Sequence, residues 1–165
     1  MKPALLIVDM QNAFYKIDTV TAGSLDKAIE YINAAIGLFR KHELPVIAVQ
    51  HMNAEDGLKP GNEDFDVPPS ISLLPTDPRI IKTYGNAFNK TGLAEQLRAL
   101  AVDTVIITGF CAEHCVLSTC RGAKDVDLIP ILLRGAMASA IPERIRFVEE
   151  INDAISYGAL KAVLG

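Results

Sequence analysis

Residues 102–125, VDTVIITGFCAEHCVLSTCRGAKD, decide how the rest of the chain is read. Val105 to Thr108 is an apolar, β-branched run of the kind that fills a buried strand. Gly109 ends the run and permits a sharp turn. A short polar stretch, Cys111-Ala112-Glu113-His114, follows; Val116, Leu117, Thr119, Cys120 and Ala123 then recur at helical spacing. The pattern predicts a strand, a tight turn, and Cys115 in the first turn of a helix that runs to about Lys124. N–H groups at a helix start are unpaired and carry partial positive charge. A thiol held there is expected to have a depressed pKa, and the same N–H groups can hold a developing oxyanion. A free Cys is also commonly a small buried hydrophobe, so this stretch by itself leaves both readings open.

Working outward, the flanks alternate between strand and helix patterns. Ala4 to Val8 is a continuous apolar run ending in Asp9, which predicts a central parallel strand with a carboxylate at its carboxyl tip. Ser24 is an expected N-cap, and Leu25, Ala28, Ile29, Ile32, Ala35, Ile36 and Phe39 mark the inward face of a helix ending near His42. Val46 to Val49 is a second strand with Gln50 and His51 at its tip, where His51 reads as a hydrogen-bonded strand-end residue. Arg79 to Lys82 is a short strand ending in Lys82, and Leu93 to Leu100 a short helix. Val126 to Leu133 is a further strand, in which Pro130 points to an edge or an irregularity, and residues 134–138 form a strand-tip loop. Pro142 opens a final helix with Ile145, Val148, Ile151, Ala154 and Ile155 inward, and Leu160 to Leu164 reads as a last strand.

This alternation predicts one domain over residues 1–165, a three-layer α/β/α fold around a mostly parallel sheet of about six strands. Residues 52–78 have a different character: Pro60, Pro68, Pro69, Pro75 and Pro78 interrupt them and no periodicity runs through. A connection this long in a small domain is usually functional, and a lid or an oligomer-contact loop over the strand tips is expected.

Composition agrees with this fold. Of the 165 residues, 50% are hydrophobic, 22% charged and only 6% aromatic, so the core is aliphatic, as a parallel sheet requires. A net charge of −4 argues against nucleic acid as a partner. No apolar run approaches the length of a membrane span, and the start, MKPALLIVDM, lacks the long uncharged core of a secretory signal; a cytoplasmic protein is expected. The three cysteines all lie between 111 and 120, an odd and clustered set that makes a poor disulfide framework. The spacing C-x3-C-x4-C beside His114 also fits zinc poorly, because adjacent His114 and Cys115 point different ways on a helix. No metal and no cofactor are expected.

Asp9, Lys82 and Cys115 are each read independently at the carboxyl end of a strand, and in a parallel sheet those ends share one rim. A carboxylate, an ammonium and a thiol meeting there form a nucleophilic constellation. Lys82 would favour the thiolate, Asp9 would accept the thiol proton and return it to a leaving group, and the two charges would offset each other's burial.

Three motifs in this order, DMQNAF at 9–14, K-x-Y-x-x-A-F from Lys82 to Phe88, and TGFCAEHCVLSTCRGA at 108–123, resemble the isochorismatase-like cysteine hydrolases, a group that includes nicotinamidases and N-carbamoyl amidases. The resemblance spans almost the whole chain. It implies an Asp9–Lys82–Cys115 triad, a cis peptide at Phe110-Cys111, an oxyanion hole from the Cys111 and Cys115 backbone N–H groups, and a homo-oligomer, dimer or tetramer. Phe14, Phe88 and His114 are candidates to line the pocket for a small-molecule substrate. Ala13, Asn86 and Ala112 depart from the family's usual Asp, Ser and Thr and bear on substrate identity. The nicotinamidase metal motif Asp-x-His is absent: the region after the second strand reads Gln50-His51-Met52-Asn53. The leading expectation is hydrolysis of an amide or ureide C–N bond through a thioester. The alternatives are an isochorismatase-type vinyl ether hydrolase, which needs an acid but no thiol, and a catalytically silent oligomeric binding protein on the same fold.

Overall fold

A computed structural model describes residues 1–165. In chain order the elements are β1 (Pro3–Val8), α1 (Asn12–Tyr15), α2 (Thr19–Lys41), β2 (Val46–His51), a 3-10 turn (Glu63–Phe65), β3 (Arg79–Lys82), α3 (Leu93–Ala99), β4 (Thr104–Gly109), a π-type turn (Ala112–Val116) continuous with α4 (Leu117–Asp125), β5 (Ile129–Met137), α5 (Glu143–Glu150), β6 (Ala154–Ile155) and α6 (Tyr157–Leu164). The six strands form one sheet in the order β3-β2-β1-β4-β5-β6, and every pairing is parallel.

Period-2 alternation of apolar side chains divides the core into two. Leu5 and Ile7 of β1 pack with Leu25, Ile32, Ile36 and Phe39 of α2 on one face. Ala4, Leu6 and Val8 pack with Leu93 and Leu97 of α3 and Cys120 and Ala123 of α4 on the other. A strand apolar at every position is therefore buried on both faces, which is why β1 and β4 read as unbroken hydrophobic runs. The result is the expected three-layer architecture with β1 and β4 at its centre. No helix is long and apolar enough to cross a membrane.

Several boundaries differ from the sequence reading. Helix α2 begins at Thr19 and not after Ser24, because the Asp18 carboxylate accepts from the Thr21 N–H at 2.7 Å and caps it there. Ser24 lies inside the helix, where its hydroxyl accepts from the Ser139 N–H at 3.1 Å. Strand β5 continues through residues expected to be a loop. Its register jumps from Ile107 opposite Leu132 to Gly109 opposite Met137, and Gly135, at φ 82°, supports the irregularity. Pro130 is buried and lies opposite Val105 of β4. The Ile129 N–H donates to Asp103 O toward β4, so the Pro130 nitrogen faces the other edge, where β6 pairs only from Leu132 on and no ladder bond is lost.

The C-terminal elements exchange roles. Ala154–Ile155 is the sixth strand, and residues expected to form a strand make α6, which Ser156 caps by accepting from the Ala159 N–H. Tyr157, Leu160 and Leu164 pack on the α2 side of the core, a helical spacing concealed in a short apolar run.

Candidate active site

The carboxyl ends of the parallel strands point one way, so residues far apart in sequence share a rim. Asp9 follows β1, His51 closes β2, Lys82 closes β3 and Cys115 lies in the turn beyond β4. Register sets His51 beside Lys82 and Val8 beside Gly109. Lys82 Nζ donates to Asp9 Oδ2 at 2.7 Å, with the two side chains 0% and 1% exposed. The Cys115 thiol, an Asp9 carboxylate oxygen and a His51 ring nitrogen lie within 4.8 Å of one another. Asp9 Oδ1 is buried and accepts no hydrogen bond. The structure thus brings Asp9, Lys82 and Cys115 together and adds His51 to them.

Backbone geometry fixes this meeting. Asp9 adopts φ 51°, a left-handed conformation that Asp tolerates better than most residues, and its N–H donates to Val49 O at 2.8 Å. Gly109 has φ 114°, and a Cβ there would stand 2.0 Å from the Val8 carbonyl oxygen; only glycine lets β4 run this close to β1. The Phe110-Cys111 peptide is cis. Around it, Phe110 N–H donates to Val8 O, Ala138 N–H to Gly109 O and Ala112 N–H to Ala138 O, all within 2.9 Å. The Cys111 N–H has no acceptor among the protein's hydrogen bonds, a free donor next to the nucleophile turn.

The electrostatics differ from the expectation at one point. Burial pushes the Cys115 thiol up to about 12, the Asp9 carboxylate adds to this, and the Lys82 ammonium opposes it. The sequence pattern places the thiol at a helix start and predicts a depressed pKa; instead Cys115 belongs to a π-type turn, is half-buried, and rests as S–H. Burial also raises the Asp9 carboxyl above its ordinary value, with Lys82 acting against the shift. A base raised in this way is better matched to a thiol than an ordinary carboxylate is.

Glu113 and Gln11 are site residues that the sequence reading did not single out. Glu113 Oε2 accepts from the Ser139 hydroxyl at 2.7 Å and the Cys111 thiol at 3.0 Å, and Oε1 from Arg144 at 3.2 Å. This ties the nucleophile turn to the chain after β5. Burial would raise the Glu113 carboxyl, but these donors hold it below its usual range. Burial, then the bond to Glu113, pushes the Cys111 thiol up to about 11, so it remains a donor. Gln11 is fully buried: its Nε2 donates to His51 O and Phe65 O, each at 3.0 Å, and its Oε1 accepts from the His51 N–H at 2.7 Å. Gln50 Nε2 donates to the same Phe65 carbonyl at 2.9 Å. The long 52–78 segment is therefore pinned at Phe65 over the tips of β1 and β2. Gln11 lies inside the DMQNAF motif, which marks the position but not this role.

Of the pocket candidates, Phe14 packs against Phe110 with ring centroids 4.8 Å apart. Phe88 is half-buried in the same apolar cluster as Cys115. His114 is exposed. The largest hollow, about 470 Å³, lies between the start of α2 and α5 and is lined by none of Asp9, Lys82 or Cys115; buried charge, not volume, locates the site. Both clusters of titratable side chains near the site have protein partners for part of their donor set. The Lys82 ammonium already sits on Asp9 and His51, and the Glu113 oxygens near Cys111 and His114 are taken by Ser139, Cys111 and Arg144.

Fold and site together define a parallel three-layer α/β protein with a buried carboxylate–ammonium pair against a thiol at the strand tips. The isochorismatase domain model matches residues 3–149, and the chain belongs to the isochorismatase family, whose members are generally hydrolases. It is 32% identical over 142 residues to the uncharacterised isochorismatase family protein YrdC of Bacillus subtilis (strain 168), covering 84% of this chain and 74% of that protein. The N-carbamoylsarcosine amidase of Thermoplasma acidophilum superposes with a TM-score of 0.81 at 26% identity, covering 94% of this chain and 95% of that one. An isochorismatase-like hydrolase from Alkaliphilus metalliredigens shares the fold over 100% of both chains, with a TM-score of 0.90 at 19% identity.

Proposed function

We propose that this protein is a cysteine hydrolase that cleaves an amide or ureide C–N bond of a small molecule through a thioester on Cys115. The observation that carries the reading is the fully buried Lys82–Asp9 pair against the thiol. Two buried charges are costly to maintain, and next to a nucleophile they have a chemical use. The likeness to an N-carbamoylsarcosine amidase favours a ureide or related amide as the substrate class.

Asp9 accepts the Cys115 proton as sulfur bonds to the carbonyl carbon. The high resting pKa of the thiol makes proton transfer part of the attack, so no standing thiolate is required. The tetrahedral oxyanion accepts from the free Cys111 N–H and from the Cys115 N–H. As the C–N bond breaks, Asp9 returns its proton to the departing nitrogen and a thioester remains. Water then gives a proton to Asp9 and attacks the thioester carbon; the C–S bond breaks and the sulfur recovers its proton from Asp9. Lys82 keeps Asp9 in place and balances the negative charge that passes between oxygen and sulfur.

The test is ammonia release from a panel of small primary amides and N-carbamoyl amino acids, with mass spectrometry of the acylated intermediate. Cys115→Ala is expected to lower turnover at least about a thousand-fold and to abolish the adduct. Undiminished turnover would defeat the reading. An ether-cleaving route predicts another pattern, with Cys115→Ser fully active on a vinyl ether and Asp9→Asn inactive.

A further inference from the structure

We propose that His51 is a positioning residue of this site: a neutral imidazole whose Nδ1 holds the Lys82 ammonium in place for Asp9 and Cys115. This rests on the catalytic reading above. Lys82 Nζ lies 3.2 Å from His51 Nδ1 and 2.7 Å from Asp9 Oδ2. An ammonium has only donors, so Nδ1 must accept and the imidazole proton must sit on Nε2. Two of the three Lys82 protons are thereby committed, one to the carboxylate and one to the imidazole, and the third is left for charge that develops at the thiol or the substrate.

The His51 backbone is held as firmly as its ring. The Gln11 side chain accepts from the His51 N–H at 2.7 Å and donates to the His51 carbonyl at 3.0 Å, and Gln11 is itself fully buried. The motif that begins at Asp9 thus supplies the carboxylate and, two residues later, the amide that fixes the imidazole. The charged and titratable groups facing the ring are Lys82 at the tip of β3, Asp9 after β1 and Cys115 in the turn after β4. Burial and the Lys82 charge favour the neutral ring, and Asp9 acts against them. Protonating His51 would remove the acceptor and set an imidazolium against the ammonium. The site is then expected to lose its Lys82 orientation in acid.

Nitrogen-15 histidine NMR of the intact protein reads this directly, since the chain has only three histidines. The expected result is His51 in the Nε2–H tautomer at pH 7.5, titrating below the ordinary histidine range. An Nδ1–H tautomer, or an imidazolium at that pH, would overturn the proposal. Alkylation of Cys115 by iodoacetamide, followed by mass spectrometry, gives a second reading that needs no substrate. His51→Leu removes the acceptor and is expected to slow alkylation about ten- to a hundred-fold, the size of one charge-assisted hydrogen bond. His51→Asn, whose amide oxygen can stand where Nδ1 stands, is expected to restore the rate to within a few-fold and to lose the imidazole inflection from its pH profile. A structural role alone predicts faster alkylation in both variants as the thiol is exposed, and that outcome would also overturn the proposal. The catalytic reading fails separately: it falls if Cys115→Ala remains active, whatever the tautomer of His51.

Discussion

Replacing Lys82 by Met tests the central physical claim, that a carboxylate is buried at the tip of β1 only because an ammonium is buried with it. Met has similar length and no charge. In the variant, Asp9, 1% exposed, would keep its burial and lose its only ion-pair partner. Breaking a buried pair by removing one member costs about 3–5 kcal/mol, and for a domain of this size each kcal/mol lowers Tm by about 2–4 °C, so a fall of roughly 6–20 °C is expected. The cost should depend on pH with a definite sign. The Asp9 carboxyl is already raised by burial, and Lys82 is the leading influence that lowers it; without Lys82 it rises further. A group whose folded pKa exceeds its unfolded value of 3.8 stabilises the fold below that value, and this contribution is lost as pH rises through the folded pKa. Urea unfolding at pH 7.5 and at pH 5 should therefore show a larger deficit at the higher pH. The double variant Lys82→Met with Asp9→Asn should recover much of the loss, because no unpaired charge is left. A cost below about 1 kcal/mol, or one that does not change with pH, would refute the buried-pair reasoning.

Other consequences follow from the same geometry. Gly109→Ala places a Cβ 2.0 Å from a backbone oxygen at φ 114° and is expected to destabilise by more than about 4 kcal/mol; expression and circular dichroism would show little folded protein, whereas a variant with wild-type Tm would contradict the close strand approach. Turnover should fall on acidification as Asp9 is protonated, at pH values above the ordinary carboxylate range, because burial raises its pKa. A pH–rate profile flat down to pH 4 would show that Asp9 is not the working base.

The sequence determined most of the frame. Unbroken apolar runs at Ala4–Val8 and Val105–Thr108 specify strands covered on both faces, and such strands require helices on both sides of a parallel sheet. Their carboxyl tips necessarily share one rim, so Asp9, Lys82 and Cys115 could be assigned to a single neighbourhood without coordinates. Local pattern failed where weak signals competed: Asp18 out-capped Ser24, and a short apolar run at the C-terminus satisfied helical and strand periods alike. Only the tertiary structure decided the chemistry of the rim. Proton affinity depends on what surrounds a group in three dimensions, so burial and the Asp9 charge set the Cys115 thiol at about 12 where helix position alone suggested a low value. It likewise decided that His51 faces Lys82, that Gln11 grips His51, and that Glu113 ties the nucleophile turn to the end of β5. Each of these contacts joins segments whose pairing is fixed by strand order and register, which a linear pattern does not encode.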